Sequence, residues 1–323
     1  MLRSVTQTVL VGALLLSPSL ALAQAYPNRP ITLIVTFPPG GSSDIVARAV
    51  APKLEADLGQ GIVIDNRPGA GGNIGIGAVA KAAPDGYTLG IAAAGVLAVN
   101  PHINRNMPFD PQKDLAPITL LSVIPFVLAA SQTAPVQSVA DVIALAKSDP
   151  GKLSIGHGGN GTAMHLTAAL FTQRAQIKIP LVAYRGTAPA TNDVLGGHIP
   201  LAVLDIPASL QLIRDGKLKA IAVSAAKRIS YLPETPTFAE AGLTGYESVG
   251  WFGAVAPVGT PPDIIAKLNA AFVKALQDPA VVERIRPLGA DPAPSTPEAF
   301  AQFIRSESDK WAKVVAEAGV KAD

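Results

Sequence analysis

The sequence contains no cysteine, and this absence excludes several kinds of chemistry. A chain of 323 residues without cysteine can form no disulfide, thiol nucleophile, iron–sulfur cluster or cysteine-ligated zinc site. Net charge is also small, because 26 Lys plus Arg face 24 Asp plus Glu and leave +2. We therefore expect no nucleic-acid partner. With 49% hydrophobic and only 15% charged residues, the composition indicates a folded chain and not a disordered one.

Motifs for metal binding and catalysis are equally scarce. No H-E-x-x-H spacing occurs, so we expect neither a metal site nor a cofactor. The run Gly40–Asp44 comes near the G-x-S-x-G pattern of hydrolases but ends in Asp where that pattern has Gly. A secreted α/β hydrolase using Ser42, with His157 and Asp205 as triad partners, remains an alternative without local support. The sequence has four histidines: His102, His157, His165 and His198.

Residues 1–25 have the pattern of a secretory signal peptide. Arg3 supplies a positive start, and the apolar run from Val9 to Leu16 is followed by small residues that permit cleavage after Ala23 or Ala25. The apolar run is far shorter than the roughly 20 residues that span a bilayer. The sequence therefore predicts an exported, soluble mature chain.

The mature sequence alternates strand and helix patterns. Ile31 to Phe37 is a β-branched run typical of a buried strand. Pro38–Gly41 ends it, and Ser42 to Asp44 resembles an N-cap cluster for a helix from Ile45 to Leu58. Two further strands with a small-residue helix between them complete a βαβαβ pattern, which predicts a mainly parallel α/β sheet.

A second set of alternating elements starts at Phe126 and extends to about residue 247. The strand predicted from Val249 to Ala256 is followed by a long helix to Leu276 and a last helix from Pro297 to about Ala318, whose charged residues we interpret as a solvated face. These two helices lack a sheet of their own, so they are expected to return to the first domain. The remaining predicted strands are Ile62–Ile64, Tyr87–Ala92, Phe126–Ala130, Leu153–Ile155, Pro180–Tyr184, Leu201–Leu204 and Ala220–Ser224.

The return of the chain predicts two lobes joined by two crossings. Residues 26–125 and 248–323 would form lobe 1, and residues 126–247 would form lobe 2. The crossings are expected near Ser122–Phe126 and Ser248–Ala254. Two α/β lobes joined in this way form a clamshell, with a ligand in the cleft at the carboxyl ends of the strands.

Two glycine-rich joints lie at such strand ends, one in each predicted lobe. Gly40 and Gly41 precede one helix, and Gly156–Thr162 precedes another. Glycine lets a ligand approach the backbone, and the first amides of a helix are free to bind an anion. Asn160 and Thr162 would add side-chain hydrogen bonds. Since no Lys follows the last glycine as in a P-loop, nucleotide phosphate is not expected.

Other joints are open to more than one interpretation. Asp205, after a strand, either orients a ligand or caps the next turn, and Thr187 is a potential donor. His157 is interpreted as a loop residue near the ligand, and His165 as helix packing. Pro68–Gly75 does not complete the G-x-G-x-x-G fingerprint and is interpreted as a turn.

Six ordered motifs carry a resemblance to a known family. The mature chain resembles the Bug-type solute receptors of tripartite tricarboxylate transporters in YPNRPITLIVTFPPGGSSDIVAR, NRPGAGGNIG, PDGYTL, GHGGNGTAMHL, YRGTAPA and GWFGAVAPVGTP. The resemblance implies a periplasmic Venus-flytrap protein that holds a carboxylate through main-chain amides of the two glycine-rich loops. It points to ligand contacts at Phe37, Gly40, Gly41, Ser42, Asn160, Gly161, Thr162, Thr187 and Asp205.

Two positions depart from the family pattern and bear on the ligand. His157 stands where a small residue is common, and Thr187 stands in a joint that is usually richer in glycine. Both would reshape the far part of the pocket, so citrate is not assumed to be the ligand. We expect a non-enzymatic binding protein, monomeric by the resemblance, that delivers a small carboxylate to membrane permease subunits. A ligand sensor for a membrane kinase is the alternative role.

Overall fold

The β-branched run near residue 31 forms a buried strand, as predicted. The structure, a computed structural model, describes residues 26–104, 106–286 and 289–318. The predicted signal peptide, residues 1–25, lies outside the described residues. Strand β1 covers Ile31–Val35 and ends two residues earlier than predicted, because Thr36 and Phe37 already turn towards the glycine-rich loop.

The elements follow one another in the order strand, helix, strand over most of the chain. The strands are β1 (Ile31–Val35), β2 (Ile62–Asn66), β3 (Thr88–Ala93), β4 (Leu115–Ser131), β5 (Ile155–His157), β6 (Leu181–Ala183), β7 (Leu201–Asp205), β8 (Leu218–Val223), β9 (Val249–Pro257) and β10 (Asp291–Pro292). The helices are α1 (Ser42–Leu58), α2 (Asn73–Ala80), α3 (Asn100–Ile103), α4 (Val139–Ser148), α5 (Ala163–Arg174), α6 (Thr187–Leu195), α7 (Ile206–Arg214), α8 (Pro262–Gln277), α9 (Pro279–Ile285) and α10 (Pro297–Ala318).

The sheet is mixed: the strands of the predicted βαβαβ unit are parallel, as expected, but the centre of the sheet is antiparallel. Strands β2, β1 and β3 are parallel to one another, and so are β7, β5 and β6. Between these two sets lie β9 and β4, which pair antiparallel with each other and with their neighbours β3 and β7. The sequence pattern missed the antiparallel centre because it recognised only the second part of β4.

Strand β4 belongs to both parts of the sheet. From Leu115 to Pro125 it pairs with β9, and from Phe126 onwards it pairs with β7 and β8. The change of partner falls at Pro125–Phe126, inside one of the two predicted crossings. Because β9 returns beside β4, both connections between the two sets of parallel strands lie next to each other.

Helix α8 packs on the first set of strands, as predicted. Its Leu268 and Phe272 join Leu33 of β1 and Leu54 of α1 in one buried cluster. Helix α10 also returns to the first part of the chain, where it packs on the segment Gly95–Val99 and on β4, and its buried Trp311 shares a cluster with residues of α5. These contacts place the last helix beside the junction of the two parts of the sheet.

Candidate ligand-binding site

A cavity lies where the carboxyl ends of the strands meet. Its empty space, counted with the open mouth, is about 540 Å³. Its walls come from both sets of strands and from the β4–β9 pair. The lining residues are Phe37, Pro38, Gly41, Ser42, Ser43, Ala93, Ala94, Gly95, Ile124, Phe126, Thr162, Ala163, Met164, Thr187, Ala188, Asp205, Gly250, Trp251 and Phe252.

The first glycine-rich loop presents the start of α1 to this cavity. The N-cap of α1 is Gly41 and has no side-chain cap, so the prediction of Ser42 as N-cap is wrong. The Ser42 hydroxyl instead donates a hydrogen bond to Oδ2 of Asp205, 163 residues along the chain. Ser43 lines the cavity with a buried hydroxyl oxygen that has no hydrogen-bond partner among the described residues. An uncapped helix start with a free hydroxyl is suited to bind an anion.

Gly40 makes its hydrogen bond within the first glycine-rich loop and does not line the cavity. Its amide donates to Oδ2 of Asp44 at 3.0 Å, so this N–H is not available to a ligand. The Asp44 carboxylate also accepts from Arg48 at 2.9 Å and from Asn66 at 3.1 Å. Burial of Asp44 opposes its ionisation, but the bonds from Arg48, Gly40 and Asn66 lower its pKa overall. Asp44 therefore fixes the loop with a permanent negative charge of its own.

The second glycine-rich loop is closed by Thr162. Thr162 is the N-cap of α5: its hydroxyl accepts from the amide of His165 at 3.2 Å and donates to the carbonyl of Gly159 at 2.8 Å. The hydroxyl is thus engaged within the loop, while Thr162 also lines the cavity, so its expected contact with a ligand stays a prediction. The first-turn residues Ala163 and Met164 line the cavity behind it.

Helices α6 and α7 also begin at the cavity. Thr187 and Ala188 form the first turn of α6, whose N-cap Gly186 offers no side chain. Asp205 is the N-cap of α7, without a side-chain cap bond. Together with α1 and α5, four helix N-termini converge on one cavity. Because each carries a partial positive charge, they attract an anion without a cationic side chain.

Asp205 is the buried carboxyl at this convergence. Its Oδ2 accepts from Ser42 and, at 3.1 Å, from Thr187, whereas Oδ1 has no hydrogen-bond partner in the described part of the chain. Burial raises the pKa of Asp205 to about 6, against the opposing effect of the two hydroxyl donors. Asp205 thus joins α1 to α6 and keeps one acceptor oxygen free.

His157 does not form a triad with Ser42 and Asp205. Its Nδ1 lies 3.2 Å from the carbonyl oxygen of Gly159, and its ring stacks on His165 with ring centroids 4.5 Å apart. Nε2 makes no hydrogen bond to any described residue. Burial and the neighbouring His165 lower the pKa of His157 to about 3. Since Ser42 donates directly to Asp205, the arrangement lacks the serine–histidine contact that a hydrolase needs.

A second cavity of about 590 Å³ lies beyond Phe37, which lines both cavities. Asn160 lines this second cavity, whereas Gly161 packs against Asn100 and lines neither. The Pro68–Gly75 joint, interpreted as a turn, contributes Gly69–Gly72 to its wall. The remaining lining residues are Gly158, Gly159, Ala183, Tyr184 and Arg185.

The main cavity has an apolar wall that the sequence patterns did not predict. Trp251 and Phe252 of β9, Phe126 of β4 and Met164 of α5 all line it. The GWFGAVA run was interpreted only as a strand; its two aromatic residues at a predicted crossing were the available signal.

Glu307 corrects the interpretation of the last helix as a solvated face. It is 7% exposed, and its Oε2 accepts from Nε1 of Trp251 at 2.9 Å and from Nε1 of Trp311 at 3.2 Å. Helix α10 thereby fixes the orientation of a cavity-lining ring.

Metal binding and membrane insertion both depend on features that the described residues do not show. Among the described residues, no group of three or more His, Asp or Glu is placed to hold a metal ion. In the same part of the chain, no helix has the length and hydropathy needed to cross a membrane.

Comparison with known proteins identifies the family. The model of the tripartite tricarboxylate transporter family receptor matches residues 46–320. Protein BugT of Bordetella pertussis is 40% identical over 300 residues, which cover 93% of this chain and 92% of that protein.

Two solved structures show the same fold with a ligand. An R. palustris protein with adipate has a TM-score of 0.89 and 37% identity, covering 92% of this chain and 99% of that one. MatC of Rhodopseudomonas palustris with bound malate has a TM-score of 0.86 and 34% identity, covering 90% and 100%. The fold is therefore the α/β two-lobe fold of periplasmic binding proteins, in agreement with the prediction. The chain belongs to the tripartite tricarboxylate transporter receptor family, whose members are carboxylate-binding receptors and not enzymes.

Proposed function

We propose that this receptor binds a small carboxylate in the main cavity and delivers it to membrane permease subunits in the periplasm. The convergence of four helix N-termini on the cavity carries the proposal. Adipate and malate in the two solved relatives support a carboxylate as the ligand class.

The ligand carboxylate would bind to the uncapped start of α1. Ser43 offers its buried hydroxyl. The first-turn amides of α1 and α6 offer N–H donors, because the first amides of a helix have no carbonyl partner within that helix. The main cavity is lined by six of the residues expected from the sequence: Phe37, Gly41, Ser42, Thr162, Thr187 and Asp205. Gly40, Thr162 and His157 would act by holding the loops in place.

Residues 26–125 and 248–323 would move as one lobe, and residues 126–247 as the other. Several contacts join these segments across the cleft: Ser42 with Asp205, Gly71 with Asn160, and Gly95 with Gly161. A ligand that contacts both segments stabilises the closed arrangement over the open one.

We further propose a secreted monomer, released from its signal peptide after Ala23 or Ala25, that presents the closed lobes to the permease. A membrane sensor kinase that recognises the same closed lobes is the alternative partner. Loss of carboxylate uptake on deletion of the gene supports delivery to a permease. Unchanged uptake with loss of transcriptional induction by the ligand would favour the sensor.

The binding experiment compares an acid with its methyl ester. A ligand at 100 times its Kd stabilises the protein by roughly 2.7 kcal/mol, which thermal unfolding detects easily. If helix N-termini bind the carboxylate, the acid raises Tm and the matching ester does not. Equal shifts for both would contradict a carboxylate site.

The matched variants are Ser43→Ala and Ser306→Ala. Ser43 lines the cavity, so Ser43→Ala is expected to weaken binding by about 1 kcal/mol, the usual net value of one hydrogen bond. Ser306 lies exposed on α10, so its variant serves as the control with unchanged affinity in isothermal calorimetry.

A further inference from the structure

The charge of the main cavity limits the ligand it accepts; this inference rests on the proposed function. Asp205 is the only acidic or basic side chain among the lining residues, and no Lys, Arg or His contributes to this wall within the described chain. A dicarboxylate or tricarboxylate that binds here would bury two or more negative charges without a cation to pair them. Burial of an unpaired charge is strongly unfavourable.

The helix N-termini offset only part of the negative charge of a bound dicarboxylate or tricarboxylate. Each N-terminus corresponds to about half a positive charge, so four of them balance roughly two negative charges. Ionised Asp205, bonded to Ser42 and Thr187 at two of these helix starts, already supplies one negative charge. The helix starts therefore compensate one ligand carboxylate better than two.

The rest of the wall is apolar and aromatic. Trp251 and Phe252, with Phe126 and Ile124, form one side, and Met164 faces the start of α6 through its contact with Thr187. The indole N–H of Trp251 donates to Glu307, so the part of Trp251 that lines the cavity offers no donor to a polar ligand. Such a wall binds an uncharged ring or hydrocarbon body.

We propose that the main cavity selects monocarboxylates with an uncharged apolar body, aromatic acids above all, over dicarboxylates and tricarboxylates. The adipate- and malate-bound relatives hold dicarboxylates, so this preference would distinguish the present chain from them.

The second cavity provides a reason for the opposite preference, in which diacids bind more tightly than monoacids. It contains exposed Arg185 and shares Phe37 with the main cavity. A long diacid that extends past Phe37 would place its second carboxylate near Arg185. In that case diacids would bind more tightly than monoacids of equal length.

Two matched ligand pairs separate these outcomes by isothermal calorimetry. Hexanoate and adipate have the same chain length and differ by one carboxylate, as do 4-methylbenzoate and terephthalate. We expect the monoacid to bind at least about tenfold more tightly in each pair, and 4-methylbenzoate more tightly than hexanoate. Tighter binding of both diacids overturns the inference but leaves carboxylate binding intact. Absence of binding by all four acids, with citrate and malate also inactive, contradicts the proposed function as well.

Met164→Lys provides a gain-of-function test. Lysine has an unbranched stem like methionine, and it would add the missing cation to the wall. The variant is expected to shift the preference towards adipate by about tenfold relative to hexanoate. Ser306→Lys, which adds the same charge at the exposed position on α10, is expected to keep the preference of the unmodified protein. If Met164→Lys folds but leaves the ratio unchanged, the lack of a cation does not determine the selectivity. Arg185→Gln is the control for the second cavity, and we expect it to leave both ratios unaltered.

Discussion

Asp205 and His157 are buried titratable residues with opposite effects on stability as pH changes. The pKa of Asp205 is raised from 3.8 to about 6 by burial, so the folded state binds a proton that the unfolded state has lost. Its contribution to stability is therefore full below pH 3.8 and is lost as pH rises through 6. The pKa of His157 is lowered from 6.5 to about 3 by burial. Its contribution is full above pH 6.5 and is lost as pH falls towards 3.

The variant Asp205→Asn tests the predicted effect of Asp205 on the pH dependence of stability. Asparagine keeps an oxygen for Ser42 and Thr187 but cannot ionise, so the variant avoids the cost of a buried charge at neutral pH. The quantity of interest is the free energy of unfolding of the variant minus that of the unmodified protein. We expect this difference to be more positive at pH 7 than at pH 4 by roughly 2 kcal/mol. Urea unfolding at the two pH values measures this difference. Asp309→Asn, at an exposed position on α10, is the control. An equal effect of Asp205→Asn at both pH values would show that Asp205 does not titrate in this range.

At the scale of secondary structure, the helices that reach the cavity differ in how their first amides are satisfied. Thr162 caps α5 with its own hydroxyl, whereas α1 and α6 begin without a side-chain cap. The capped helix fixes the second glycine-rich loop, and the uncapped helices are the ones whose first amides would bind a ligand under the proposed function.

Thr162→Ala is expected to destabilise the fold more than it weakens direct ligand contact. Loss of the cap removes the bonds to His165 and Gly159 and lowers the free energy of unfolding by about 1 kcal/mol. Thr162→Ser, which keeps a capping hydroxyl, should restore most of this loss. Urea unfolding without ligand measures both variants. If the Thr162→Ala variant is stable but has lost affinity, Thr162 instead donates a hydrogen bond directly to the ligand.

The sequence predicts most elements but not the centre of the sheet. Short-range patterns suffice for α10, whose predicted bounds match the structure, and for the start of α5 directly after Thr162. The first part of β4 was missed because Pro117 and Pro125 interrupt its apolar run, and its register shifts near Pro117. Ser42 was misread for a related reason: its hydroxyl prefers a partner 163 residues away, which no local pattern reveals. The cavity walls from β4 and β9 depend on the same long-range pairing.

At the scale of the whole molecule, glycines permit the two predicted lobes to approach. A Cβ atom added at Gly95 would lie 2.8 Å from the carbonyl oxygen of Gly161, and one added at Gly71 would lie 2.6 Å from that of Asn160. Both neighbours are backbone atoms, which cannot rotate away as a side chain can. The absence of side chains at these two positions therefore allows closure over the cavity.

Gly95→Ala is expected to hinder closure without straining its own backbone. Gly95 lies in the π-helical segment Gly95–Val99 and, unlike Gly71, does not have a positive φ. The new methyl group would separate Gly95 from Gly161 and reduce the population of the closed state. If that population falls to about a tenth, the apparent Kd rises about tenfold. Small-angle scattering at saturating ligand should also give a larger radius of gyration than for the unmodified protein. Gly61→Ala is the matched control, because a Cβ atom there meets nothing within 4 Å. Affinity and radius equal to those of the control would mean that the contact between Gly95 and Gly161 does not govern closure.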